Sequence, residues 1–165
     1  AMTHARNIVE IGTGTGVTAL WMLQGLRLDG QLTSIDVEGE HHRIAREILA
    51  SVDVPTPRVR LIAGRPSDIL PKLEDAGYDL VLLNVEPSAL NPMLDQSLRL
   101  LRRGGIFAVS NIFGDNKVGD PAQRDPATVA RRLFSHRVAD DDRLLSAMLV
   151  VGDGLLVGVH LPPEE

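Results

Sequence analysis

Five apolar runs alternate with amphipathic stretches, and then two more runs follow with almost nothing between them. The first five are NIVEI (7–11), QLTSID (31–36), RVRLIA (58–63), YDLVLLN (78–84) and GIFAVSN (105–111); the last two are LLSAMLVV (144–151) and GLLVGVHL (154–161). Runs that are apolar nearly throughout are the mark of strands buried on both faces, as in a parallel sheet covered by helices. Helix-like stretches at 16–27, 39–52, 67–76, 88–102 and 126–140 supply the cover. The final two runs are joined only by GDG (152–154), too short for a crossover helix, so they must pair as an antiparallel hairpin. The expected fold is α/β: a Rossmann-like, doubly wound sheet of seven strands, mostly parallel, closed by an antiparallel strand. No linker or internal repeat divides the chain, and residues 1–165 are expected to form a single domain.

The bulk properties exclude several functions. A net charge of -5 argues against a nucleic-acid partner. No run approaches the ~20 apolar residues that span a bilayer, so no membrane partner is expected. With no cysteine there is no disulfide, thiolate metal site or cysteine nucleophile, and a cytoplasmic setting is the simplest reading. Aromatic residues are 3% of the chain, too few for a site built by stacking several rings.

Between the first strand and the first helix lies VEIGTGTGVTALW (9–21), which puts Gly12, Thr13, Gly14 and Gly16 where a backbone can approach a nucleotide closely. The dinucleotide fingerprint spaces its glycines differently and seldom has an acid just ahead of them. Glu10 sits there, poorly placed for a pyrophosphate but tolerable beside a cationic methionine moiety. Asp36, ending the second strand, is placed to accept hydrogen bonds from ribose hydroxyls of either ligand. Glu10 favours S-adenosylmethionine.

These blocks, with SIDVEGEHHRIARE, YDLVLLNVEP, LRLLRRGGIFAVSN, GDPAQRDP and VGDGLLVGVH, resemble the catechol O-methyltransferase-like family of S-adenosylmethionine-dependent O-methyltransferases, in particular its actinobacterial members. The resemblance runs from about residue 7 to 161. It implies the seven-stranded methyltransferase sheet and a small-molecule methyl acceptor. It also implies that Glu10, Gly12 and Gly14 line the methionine end, that Asp36 takes the ribose and Val37 borders the adenine, and that Gly64 and Arg65 pass the adenine with their backbone. Members of the family carry cap helices ahead of the first strand. This chain begins almost at that strand, so the cap helices are missing either from the protein or only from these 165 residues; if from the protein, an apolar edge is left through which a homodimer could form.

The chain departs from the family on the acceptor side. Members acting on catechols hold a divalent metal through an aspartate after the fourth strand and an Asp-Asn pair after the fifth, often with a lysine base nearby. The corresponding positions are Asn84, Ser110, Asn111 and, for the lysine, Pro87. Magnesium prefers carboxylate oxygens, so no metal site is expected, and the acceptor-side candidates are Asn84, Glu86 and Asn111. Glu86 is read as a solvated loop acid.

The other polar residues are assigned ordinary roles. His41, His42 and His136 are expected on helix surfaces, His160 at a strand edge, and Trp21 in the core. In the 126–140 stretch Val129 and Leu133 are expected on the apolar face. Residues 114–126 read as a mobile polar loop, with Asp115, Asp120 and Asp125 solvated, and Asp140–Asp142 as a turn. The expected function is S-adenosylmethionine-dependent, metal-independent O-methylation. A non-catalytic S-adenosylmethionine-binding sensor or partner module, or more weakly a nicotinamide-dependent oxidoreductase, would share the same loop.

Overall fold

The computed structural model describes residues 4–162. Strands β1 (Asn7–Ile11), β2 (Gln31–Asp36), β3 (Val59–Ala63), β4 (Tyr78–Leu83), β5 (Leu101–Ser110), β6 (Leu144–Leu149) and β7 (Leu155–His160) form one sheet in the order β3-β2-β1-β4-β5-β7-β6. The pairs among β1 to β5 are parallel, while β7 runs antiparallel to both β5 and β6. The expected sheet is therefore present, with the hairpin where the GDG linker required it.

Helices α1 (Val17–Gly25) and α2 (Gly39–Ser51) cover one face, where Ala19, Leu23 and Leu49 pack on Ile8 and Leu32. The four-residue α3 (Pro66–Ile69), α4 (Pro87–Leu100) and α5 (Pro126–Ala139) serve the other. There Leu90, Leu94, Leu98, Phe134 and Val138 pack on Val9, Ile11, Val81, Leu83 and Phe107. Removing such side chains from water supplies most of the driving force for folding. Helix α5 starts cleanly because Asp125 accepts from both the amide and the hydroxyl of Thr128, at 3.0 and 2.7 Å.

Several expectations change. The 67–76 stretch is not one helix: α3 gives way to a 3-10 turn at Leu70–Lys72, because Pro71 cannot donate the hydrogen bond that would extend it. On α5 the buried residues are Thr128, Phe134 and Val138, while Leu133 is 60% exposed and Val129 also faces out. Arg132 and Arg137 take inward positions by reaching main-chain carbonyls. Arg132 donates to the carbonyls of Lys117, Val118, Asp120 and Gln123. That guanidinium fastens the 114–126 loop, which is thus pinned rather than loose. His160 is not at an edge either; β7 is an interior strand, and the ring is buried with Nδ1 3.2 Å from the Leu101 carbonyl.

Candidate active site

The strand order reverses between β1 and β4, the place where open α/β sheets bind ligands beyond the carboxyl ends of their strands. Just past the end of β1 the Gly12 amide donates to the Ile35 carbonyl of β2, and past the end of β4 the Asn84 amide donates to the Ile11 carbonyl of β1, each at 2.8 Å. A Cβ on Gly12 would stand 1.9 Å from the Asn84 carbonyl oxygen, and Gly12 also has a φ of 95°. Glycine is obligatory at this crossing for the protein's own packing.

Gly14 is a glycine for another reason. Its φ is 51°, yet a Cβ would meet no atom within 4 Å, so the space above it is open. Its amide points at Asp36, donating to Oδ2 at 3.0 Å. The Glu38 amide donates to Oδ1 at 2.9 Å, and His41 Nδ1 lies 3.1 Å from Oδ2. Burial alone would raise the Asp36 pKa. The two amides and His41 outweigh it, and the carboxyl is held below its ordinary range. Asp36 is therefore a fixed anion at the tip of β2.

A cleft of about 480 Å³ opens beside it, bordered by Gly12, Asp36, Val37, His41, Asn84 and Met93 among others. Val37 is exposed in the cleft wall. After β3 the cleft is bordered by Pro66, while Gly64 holds the neighbouring turn through its amide to the Asp36 carbonyl at 2.9 Å and Arg65 is exposed just before α3. Gly16, the left-handed residue that starts α1, packs against Ala45 of α2.

Glu10 lies one layer down. Its side chain is fully buried beneath the glycine loop, in a chain of hydrogen bonds that the groups themselves orient. Ser34 Oγ donates to Glu10 Oε2 at 2.5 Å, Thr13 Oγ1 meets Ser34 Oγ at 2.7 Å, and His42 Nε2 meets Thr13 Oγ1 at 3.1 Å. With the serine proton spent on Glu10, the threonine proton goes to serine and the imidazole proton to threonine. Burial, opposed by the Ser34 bond and assisted by the Asp36 charge, pushes the Glu10 carboxyl up to about 7. Burial holds His42 below its usual pKa, hence neutral. Glu10 Oε1 and His42 Nδ1 have no partner among the described residues.

His42 thus departs from the expected helix surface, while His41 stays on it but lies against Asp36. His42 is 1% exposed, and His41 borders the cleft in contact with Asp36. The signal was position: the turn after β2 is short, so the first turn of α2 folds back over the strand end.

On the acceptor side Asn84 and Ser110 bind each other. Ser110 Oγ donates to Asn84 Oδ1 at 2.9 Å, and Asn84 Nδ2 donates to the Gly12 carbonyl at 3.3 Å. Asn111 follows with a φ of 56°, exposed at the end of β5, and Glu86 is exposed as expected. A wider cavity of about 1060 Å³ is bordered by Trp21, Ser110, Asn111 and Val151. Trp21 is 69% exposed rather than in the core, because α1 is apolar all round and buries only Ala19 and Leu23. Its ring forms a cavity wall. The donors do not suit a magnesium ion: Asn84 and Ser110 carry no charge, and no group of three His, Cys, Asp or Glu side chains among the described residues could hold a metal.

The chain matches a family model described as O-methyltransferase over residues 1–161. A Mycobacterium tuberculosis protein named as a probable O-methyltransferase is 40% identical over 159 residues, which cover 96% of this chain and 71% of that one. A crystal structure of a Corynebacterium glutamicum protein superposes with a TM-score of 0.88 at 30% identity, over 95% of this chain and 73% of that one. TomG, a Streptomyces achromogenes O-methyltransferase involved in tomaymycin synthesis and solved with S-adenosylmethionine, superposes with a TM-score of 0.87 at 27% identity, over 98% of this chain and 75% of that one.

Proposed function

The chain belongs to the O-methyltransferase family, and from that premise we propose how its cleft serves S-adenosylmethionine-dependent methyl transfer to an oxygen of a small molecule. The observation that carries the assignment is the meeting of Gly14 and Asp36. An open space over a left-handed glycine lies next to a fixed carboxylate, at the carboxyl edge where the strand order reverses.

Asp36 accepts the ribose hydroxyls, and His41 and the Glu38 amide keep its carboxylate oriented for them. Val37 presents an apolar wall to the adenine, with Gly64, Arg65 and Pro66 completing that end. Gly12, Thr13, Gly14 and Gly16 shape the loop along which the methionine portion lies. Glu10 acts from beneath this loop, through Ser34 and Thr13. S-adenosylmethionine supplies an electrophilic methyl group on a sulfonium. Asn84 ties the loop to β5 and so fixes the distance between the cofactor cleft and the acceptor side.

The acceptor rests against Ser110, Asn111, Glu86 and the apolar wall of Trp21 and Val151. Holding two reactants in line can supply several kcal/mol of the barrier without any covalent help. We propose that the reaction is metal-independent, since the neutral amide and hydroxyl oxygens of Asn84 and Ser110 offer a dication little.

Calorimetry with S-adenosylmethionine tests the pocket. Asp36→Ala is expected to weaken binding by about 1–3 kcal/mol, as the ribose loses a charged acceptor. Gly14→Val costs the fold only about 1–2 kcal/mol of left-handed strain, yet fills the space above the loop and abolishes binding. Wild-type affinity in both variants overturns this placement.

A further inference from the structure

We propose that the methyl acceptor enters as an organic oxyanion and that Arg131 of α5 is the residue that binds it. This deepens the function given above and rests on that reading. Arg131 borders a pocket of about 180 Å³ together with Asn84, Glu86, Ser110 and Asn111, the residues on the acceptor side. Its Nε donates to the Asn111 carbonyl at 3.1 Å, which fixes the guanidinium at the end of β5.

The backbone opposite is shaped for it. Gly114 has a φ of 57°, and a Cβ there would stand 2.8 Å from Arg131 Nη1 and 2.9 Å from Cζ. Glycine lets the flat group lie against the chain. With Nε anchored, the two Nη groups donate to nothing among the described residues, and no carboxylate comes within 4.0 Å.

The neighbouring arginines are used differently. Arg132 spends its donors on four loop carbonyls, and Arg137 shares Asp95 with Arg143. Arg131 alone of these three on α5 keeps a pair of donors and an uncompensated charge at the mouth of a pocket. A planar fork of this kind matches a carboxylate, or a phenolate oxygen, better than any neutral group. Glu86 also borders the pocket, but it is exposed and its charge is screened by water.

The chemistry closes without a metal or a general base. An acceptor that arrives ionised has no proton to lose. Its oxygen forms the new O–C bond as the methyl–sulfur bond breaks, and that bonding pair stays on sulfur. The sulfonium charge and the oxyanion charge disappear together, leaving a neutral ester or ether and S-adenosylhomocysteine. Arg131 gathers and orients the anion, the part that a dication plays for a neutral diol.

The test is binding to the intact protein, with and without saturating S-adenosylhomocysteine. Benzoate is titrated against benzamide, and 4-nitrophenolate against 4-nitroanisole. At least one anion is expected to bind ~10-fold or more tightly than its neutral partner, and which pair responds distinguishes a carboxylate from a phenolate acceptor. Arg131→Gln should bring that ratio near one, whereas Arg131→Lys should keep it within a few fold. Equal binding or no binding of both pairs to the wild type overturns the proposal, as does an unchanged ratio in Arg131→Gln. S-adenosylhomocysteine affinity is read separately and should be the same in all three proteins. Its absence from the wild type would instead overturn the cofactor cleft.

Discussion

Glu10 is sealed beneath the glycine loop with one carboxyl oxygen unpartnered, so its charge depends on pH in the range where enzymes work. Its pKa in the folded chain is about 7, against 4.5 as the ordinary value. Between these values the folded state holds a proton that the unfolded state has lost, so the contribution to stability falls as pH rises through the window. The full swing is up to about 3 kcal/mol. His42 works in the opposite sense, because its folded pKa is lowered and its contribution is lost as pH falls through the ordinary histidine range. The comparison must therefore be a difference. Relative to Glu10→Gln, the wild type should lose thermal stability from pH 5 to about pH 7 and level off above it, with no ligand present. Parallel stability curves for the two proteins would show that Glu10 does not titrate in this window. Neither this network nor His41 could be read from residue types alone. Adjacent histidines on an amphipathic stretch look solvated until the short β2–α2 turn is known to fold one onto Asp36 and bury the other under Thr13.

Among the elements, the strands were legible to within two residues except β5, which starts at Leu101 rather than 105, because strands buried on both faces leave little room for polar side chains. The failures have two physical sources. Apolar content on α1 does not say which side meets the core, and Trp21 lies on the second apolar face, which turns toward a cavity. On α5, arginines took inward positions by satisfying main-chain carbonyls, which displaced Leu133 and Val129 outward. The glycine loop shows how finely position matters. Gly12→Ala forces a methyl into the Asn84 carbonyl and must part β1 from β4, so urea unfolding should register a loss of about 3 kcal/mol or more. Gly14→Ala, two residues on, meets no protein atom and should cost the fold only about 1 kcal/mol of backbone strain. Equal losses would mean that the β1–β4 crossing has slack.

At the scale of the whole molecule, the proposed metal independence rests on the neutral acceptor side formed by Asn84 and Ser110. Methyl transfer is expected to persist in excess EDTA and to gain nothing from added magnesium. Asn84→Asp combined with Ser110→Asp should create a magnesium affinity that the parent lacks, measurable by calorimetry. Activity that vanishes with the chelator and returns with magnesium would bring Glu86 into the reaction as a ligand. The sheet order carries a further consequence, for synthesis on the ribosome. β7 is made last of the seven described strands, yet its place is between β5 and β6. Until residues 155–160 clear the exit tunnel, β5 presents an open row of amides and carbonyls, and β6 has no neighbour to pair with. Native closure must therefore wait until residues 155–160 have been made, through contacts distant in sequence, which slows folding. For that interval the nascent chain carries an adhesive edge at its centre, where a chaperone, or a stray strand from another nascent chain, competes with β7 for the slot.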